Sequence, residues 1–102
     1  MELLCKVNNE ELVINVIGRL DTNTSLDYEN LIKEKISNIN SLILDFNDLI
    51  YISSAGLRVV LVTKKLMNDK SMKIINCSKE VMNIFKMTGF DKILDIGLKH
   101  DC

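Results

Sequence analysis

Apolar positions follow two rhythms along this chain. The first twenty residues carry short aliphatic and β-branched runs, "ELLCKV" and "ELVINVIG", around a polar "NNEE". Asn tolerates positive φ, so the polar stretch reads as a turn and the runs as a β-hairpin over 2–7 and 11–18. Gly18 is expected to break the second strand. After the polar loop "RLDTNTS", the spacing of "TSLDYENLIKEKISNI" becomes helical, with Tyr28, Leu31, Ile32, Ile36 and Ile39 on one face. Thr24 with Asp27 resembles a capping box, and Asp27 and Glu29 suit the positive end of the helix dipole.

The alternation continues to the end of the chain. "SLILDF" is an uninterrupted apolar run, expected to be a strand buried on both faces. "NDLIYIS" leads to a serine pair. "SAGLRVVLVTKKLMND" is a second helix with Leu57, Val60, Leu61 and Met67 inward and Lys64 and Lys65 near its negative end. "SMKIINC" reads as a strand, and "SKEVMNIFKMTG" as a third helix with Ser78 as N-cap and Gly89 as its stop. Phe90 is placed to close that end, "KILDIG" is a last short strand, and "LKHDC" carries no pattern. The order β-β-α-β-α-β-α-β requires crossover connections, hence an α/β domain with a mainly parallel sheet and an antiparallel edge from the hairpin.

Composition narrows the picture. The 102 residues suit one domain, 1–102, and 47% hydrophobic residues can build a core without staples. Thirteen basic and 14 acidic residues are mixed along the chain, and 5% are aromatic; no basic stripe or stacking platform points to nucleic acid. Charges interrupt the apolar N-terminal pieces, so neither a signal peptide nor a membrane span is expected. Cys5, Cys77 and Cys102 are far apart, with no zinc or C-x-x-C spacing, which suits a reduced, cytoplasmic chain without metal or cofactor.

The chemistry concentrates in "IYISSAGLRVVL", where Ser53 and Ser54 stand between an apolar run and a helix. A serine nucleophile needs a base, and the only histidine is His100 in the tail; G-x-S-x-G is also missing. The helix start could hold an anion through its free N–H groups, but neither a Walker sequence nor G-x-G-x-x-G is present. Spacing alone favours a helix cap, which takes one hydroxyl. The second hydroxyl leaves modification open: a phosphate there would carry nearly two negative charges at the favourable end of a helix dipole. The two small residues beside Gly56 also suggest close approach by another group.

"LILDFNDLIYISSAGLRVVL" resembles the signature of STAS domains, in particular the bacterial anti-sigma factor antagonists. "VIGRLDTNTSLDYENL" is similar to the family's strand, Gly-x-Leu-Asp loop and first helix, and "SMKIINCSKEVMNIFKMTGFDKIL" to its closing strand, helix and turn. The resemblance implies the STAS-type winding of βα units: a mixed, mainly parallel sheet of about five strands with an N-terminal hairpin and about three to four helices. It implies a non-enzymatic transcription regulator. The unphosphorylated form binds an anti-sigma factor that is also a serine kinase and supplies the ATP. The sigma factor is thereby freed, phosphorylation ends the binding, and a PP2C-type phosphatase resets it. The family's acceptor falls on Ser54, with Ser53 as second choice, and the partner surface on Asp21, Thr22, Asn23, Ser53, Ser54, Ala55, Gly56, Leu57 and Arg58. Many members carry Asp directly before the acceptor; Ser53 stands there instead, removing a charge and adding a hydroxyl.

Other readings keep part of this picture. A STAS domain also serves as a scaffold or regulatory subunit of other signalling assemblies, and the same helix start could serve a small-molecule or nucleotide sensor. Asp45 and Asp48 after a strand evoke a receiver domain, but that fold wants an acidic pair after its first strand, where only Asp21 stands; Asp48 is expected to shape its loop. Arg58 faces solvent, a partner or a phosphate. Met67, Met72, Met82 and Met87 are expected to pack the core and its edges, with Phe90 and the methionines as a conceivable docking patch.

Overall fold

The computed structural model describes residues Met1–Lys99. Strand β1 (Glu2–Asn8) turns through Asn9, at φ 58°, into β2 (Glu11–Leu20), and the two pair antiparallel over their length. β2 then takes two parallel partners in succession. Glu11–Asn15 pair with β3 (Ser41–Asp45), and Gly18–Leu20 pair with β4 (Leu49–Ile52), with a register shift between Gly18 and Arg19. Gly18 therefore bends the strand instead of breaking it. Its φ of 97° turns the ladder, and its N–H donates to the Asp48 carbonyl at 3.0 Å. β5 (Ser71–Cys77) lies parallel to β3, and β6 (Ile96–Leu98) parallel to β5. The order is β1-β2-β3-β5-β6 with β4 on β2, a six-stranded sheet where about five were expected.

Three helices, α1 (Ser25–Lys35), α2 (Ser54–Met67) and α3 (Lys79–Thr88), cover one face. The registers put Leu12, Ile14, Leu42, Leu44, Met72 and Ile74 on that face, and they form one buried cluster with Tyr28, Ile32, Leu57, Val60 and Phe85. Among the described residues nothing covers the opposite face. Ser41, Ile43 and Asp45 of β3 are only half-buried, so the expectation of a strand buried on both faces is corrected; its apolar run reflects shielding by neighbouring strands. Among the described residues no helix is long and apolar enough to cross a membrane.

Several ends differ from expectation. Thr24 precedes α1 but makes no side-chain cap; its hydroxyl accepts the Asp21 N–H and donates to the Arg19 carbonyl instead. α1 stops at Lys35 and a 3₁₀ turn, Ile36–Asn38, carries the chain to buried Ile39. On α2, Leu61 is half-buried, whereas Val59 and Thr63 join the buried stripe. α3 begins and ends as its caps dictate: Ser78 Oγ accepts from the Val81 N–H at 3.2 Å, and Gly89 adopts φ 78°. Phe90 packs on the core but opens a 3₁₀ turn, Phe90–Lys92, so the last strand starts at Ile96, later than "KILDIG" suggested. Met67, Met72 and Met82 are buried; Met87 is 86% exposed and contributes nothing to the core.

Candidate functional site

The β2 end, the β2–α1 loop, β4 and the start of α2 converge at the C-terminal end of two parallel strands. Leu20 pairs with Ile52, and its carbonyl accepts the Ser53 N–H at 3.0 Å. α2 starts immediately beyond. Its N-cap is Ser53, in extended conformation, whose hydroxyl accepts the Gly56 N–H at 3.2 Å while its carbonyl accepts the Leu57 N–H at 2.8 Å. Ser54 is the first helical residue and is exposed; among the described residues its hydroxyl has no hydrogen-bond partner. One serine of the pair closes the helix and the other stands free.

Gly56 explains why small residues gather here. A Cβ on it would lie 2.4 Å from the Leu20 carbonyl oxygen and 2.8 Å from the Ile52 side chain. The group that approaches closely is the protein's own β2 backbone. Gly56 and Leu57 are buried and lie beneath the surface, whereas Ser54 and Arg58 are exposed and Ala55 is half-exposed. Arg58 sits one turn after Ser54 and makes no salt bridge among the described residues.

The Asp21 loop is a folded unit in its own right. Asp21 Oδ1 accepts the N–H groups of Asn23 at 3.0 Å and Thr24 at 3.2 Å, and its carbonyl accepts those of Thr24 and Ser25. The Thr24 hydroxyl accepts the Asp21 N–H and donates to the Arg19 carbonyl, both at 2.9 Å. Burial pushes the Asp21 carboxyl up, but donors from Thr24, Asn23 and Arg19 outweigh it and hold the group below the usual carboxylate range. Asp21 thus braces the loop, leaving Thr22 and Asn23 exposed at its tip.

These two loops flank a shallow cleft of about 290 Å³ between α1 and α2, lined by Thr22, Leu26, Glu29, Ala55, Arg58 and Val59. Of the residues expected to share a surface, Thr22, Ala55 and Arg58 line this cleft. Sequence reasoning missed part of the rim. Arg19 bonds Asp21 at 3.5 Å and lies over the Tyr51 ring at 4.3 Å, a cation–π contact. Ile50, next to Tyr51 in sequence, and Leu26 of the cleft are 73% and 62% exposed. Arg19 is the variable position of Gly-x-Leu-Asp, and Ile50 and Tyr51 lie in the unforeseen β4, so no motif marked them.

The other acids and thiols serve structure. Asp45 Oδ1 accepts the Asn47 N–H at 3.0 Å and the Asn76 side-chain amide at 3.1 Å, tying β3 to β5; Asp48 shapes its loop through its carbonyl. Cys77 is buried, which pushes its thiol up to about 11 and makes it a poor nucleophile. His100 and Cys102 lie outside the described residues.

Fold and site together define a class: a mainly parallel α/β domain that presents an unengaged serine at the start of a helix, beside a braced acidic loop. The family model for the STAS domain matches residues 3–101, and the chain belongs to that family. It is 26% identical over 102 residues to the anti-sigma-B factor antagonist of Bacillus subtilis (strain 168), with 94% of this chain and 90% of that one covered. Solved structures share its fold, two forms of SpoIIAA among them. The anti-sigma factor antagonist SpoIIAA in its unphosphorylated form matches with a TM-score of 0.81 at 21% identity, covering 93% of this chain and 87% of that one. The Bacillus cell fate determinant SpoIIAA in its phosphorylated form matches with a TM-score of 0.75 at 20% identity, covering 93% and 90%.

Proposed function

We propose that this chain is an anti-sigma factor antagonist switched by phosphorylation of Ser54. Unmodified, it binds an anti-sigma factor that is also a serine kinase, and the sigma factor is released. The surface that docks is the cleft between α1 and α2 with Thr22, Asn23, Ser54, Ala55 and Arg58. The kinase transfers the γ-phosphoryl of ATP to Ser54 Oγ. The Oγ–H bond breaks, the new P–O bond forms, ADP leaves, and the proton passes to a base of the kinase. A PP2C-type phosphatase hydrolyses the phosphoserine. The antagonist performs no catalysis and needs no metal or nucleotide of its own.

One observation carries this reading: the division of labour in the serine pair. Ser53 holds the helix cap, so Ser54 can be modified without removing it. The N–H groups of Ser54 and Ala55 belong to the orphan donors of the first turn. They and the dipole favour a phosphate dianion on the adjacent oxygen, so the domain stays folded when modified. The charge appears on the rim of the cleft, where a partner would have to bury it.

The reading is tested by incubating the chain with ATP and the anti-sigma kinase of its own cells, then mapping phosphopeptides by mass spectrometry. One phosphate on Ser54, absent from Ser54→Ala, is the expected result. A phosphate on Ser53 moves the acceptor to the second choice, and a stable complex without any phosphate makes the domain a constitutive scaffold.

A further inference from the structure

β1 is the first strand of the sheet order and has a neighbour on one side only. Among the described residues nothing covers its outer edge. An uncovered seven-residue edge is a template for another strand, and natural edges are usually shortened, bulged or charged to prevent this. This edge carries two exposed charges, Glu2 and Lys6, together with exposed apolar side chains on both faces. The register with β2 sets Leu3, Cys5 and Val7 opposite Val16, Ile14 and Leu12, on the helix-covered face. Yet Cys5 and Val7 are exposed and Leu3 is only half-buried, so the helix layer stops short of β1. Glu2, Leu4 and Lys6 occupy the open face. Met1, Leu4 and Val7 are 40%, 51% and 60% exposed, a concentration of apolar surface along one edge.

We propose that β1 pairs antiparallel with β1 of a second copy of this chain, about a two-fold axis at Leu4. The pattern is self-complementary in that register. Leu4 meets the partner's Leu4, and Glu2 faces the partner's Lys6 twice, once on each side of the axis. On the helix side, Leu3 faces the partner's Cys5 and Met1 faces the partner's Val7. Every exposed apolar side chain of the edge gains an apolar neighbour, and both charges gain an opposite one. Moving the axis to Cys5 sets Lys6 against Leu4 and Glu2 against Asn8, leaving both charges unmatched. A two-fold perpendicular to the sheet keeps both helix layers on the same side and continues one sheet through two copies. This interface is independent of the Ser54 switch.

Sedimentation equilibrium of the full chain tests the pairing. The native chain is expected to form a concentration-dependent dimer. Glu2→Lys and Lys6→Glu each place like charges opposite each other at both pairs and weaken association by at least about tenfold. An equimolar mixture of the two variants restores it, because each Lys again faces a Glu. Glu2 and Lys6 are both exposed in the monomer, so neither substitution disturbs its core. The proposal is overturned by a native chain that stays monomeric to roughly 1 mM, by a dimer indifferent to both reversals, or by a mixture that fails to pair.

Discussion

Ser53 and Ser54 carry the same hydroxyl one position apart, and the start of α2 separates what each can do. Removing the Ser53 hydroxyl leaves the Gly56 N–H without its acceptor, so Ser53→Ala should cost about 1 kcal/mol of stability. Ser54→Ala removes an exposed, unengaged group and should stay within about 0.5 kcal/mol of the native chain. Urea unfolding of the two variants checks the ordering, and equal losses would refute the division of labour. Gly56→Ala should be worse than either, by about 1–3 kcal/mol, because its Cβ collides with the Leu20 carbonyl. Asp21 adds a pH dependence. Its carboxyl is held below the ordinary range in the folded chain, so its contribution is complete above about pH 4 and is lost as pH falls through the depressed value. Asp21→Asn keeps an acceptor for the Asn23 and Thr24 N–H groups but removes the titration. Its acid unfolding curve should be flatter over that window than that of the native chain.

At the scale of elements, α1 and α2 are joined by a buried polar link that sets the width of the cleft. The Tyr28 hydroxyl lies 2.8 Å from Thr63 Oγ1, which also bonds the Val59 carbonyl at 2.7 Å. Thr63 has one proton and gives it to Val59, so Tyr28 is the donor. Tyr28→Phe removes that donor and leaves Thr63 satisfied, costing about 1 kcal/mol. Thr63→Val keeps the shape but strands the buried Tyr28 hydroxyl, costing about 1–3 kcal/mol. Chemical denaturation of both variants should show the threonine substitution as the more damaging.

In the sequence α3 was legible to the residue, because Ser78 and Gly89 are strong local signals that tertiary contacts did not oppose. β4 was not. Leu49 and Ile52 point inward while Ile50 and Tyr51 point out, a pattern with neither strand nor helix period in four residues. The strand exists because β2 continues past Gly18 and offers an edge. The capping of α1 was assigned to Thr24 from spacing, whereas the Thr24 hydroxyl is engaged by the Asp21 N–H and the Arg19 carbonyl. Of the site, motifs marked the serine pair and the Asp21 loop. The burial of Gly56 and Leu57 and the Arg19–Tyr51 contact depend on where β2 ends against α2, which no local pattern encodes.

For the whole molecule, the proposed switch works through surface charge on an unchanged fold. The helix start has free N–H groups for a phosphate, and the core cluster lies beneath it, anchored by Leu57 and Val60. Phosphorylated and unmodified chains should therefore have far-ultraviolet circular dichroism that superimposes. Ser54→Asp should fold normally and bind the kinase weakly, and Ser54→Ala should bind without being switched off. A Ser54→Asp chain that binds as well as the native one would contradict the blocking role of charge. The most direct measurement is calorimetric titration of the anti-sigma kinase, held in its nucleotide-bound form, with the unmodified chain and with the chain stoichiometrically phosphorylated on Ser54. Burying a phosphate against the partner is expected to weaken binding by at least about 100-fold, or about 3 kcal/mol. Equal affinities for the two forms would contradict the switch, whatever the fold and family of the domain.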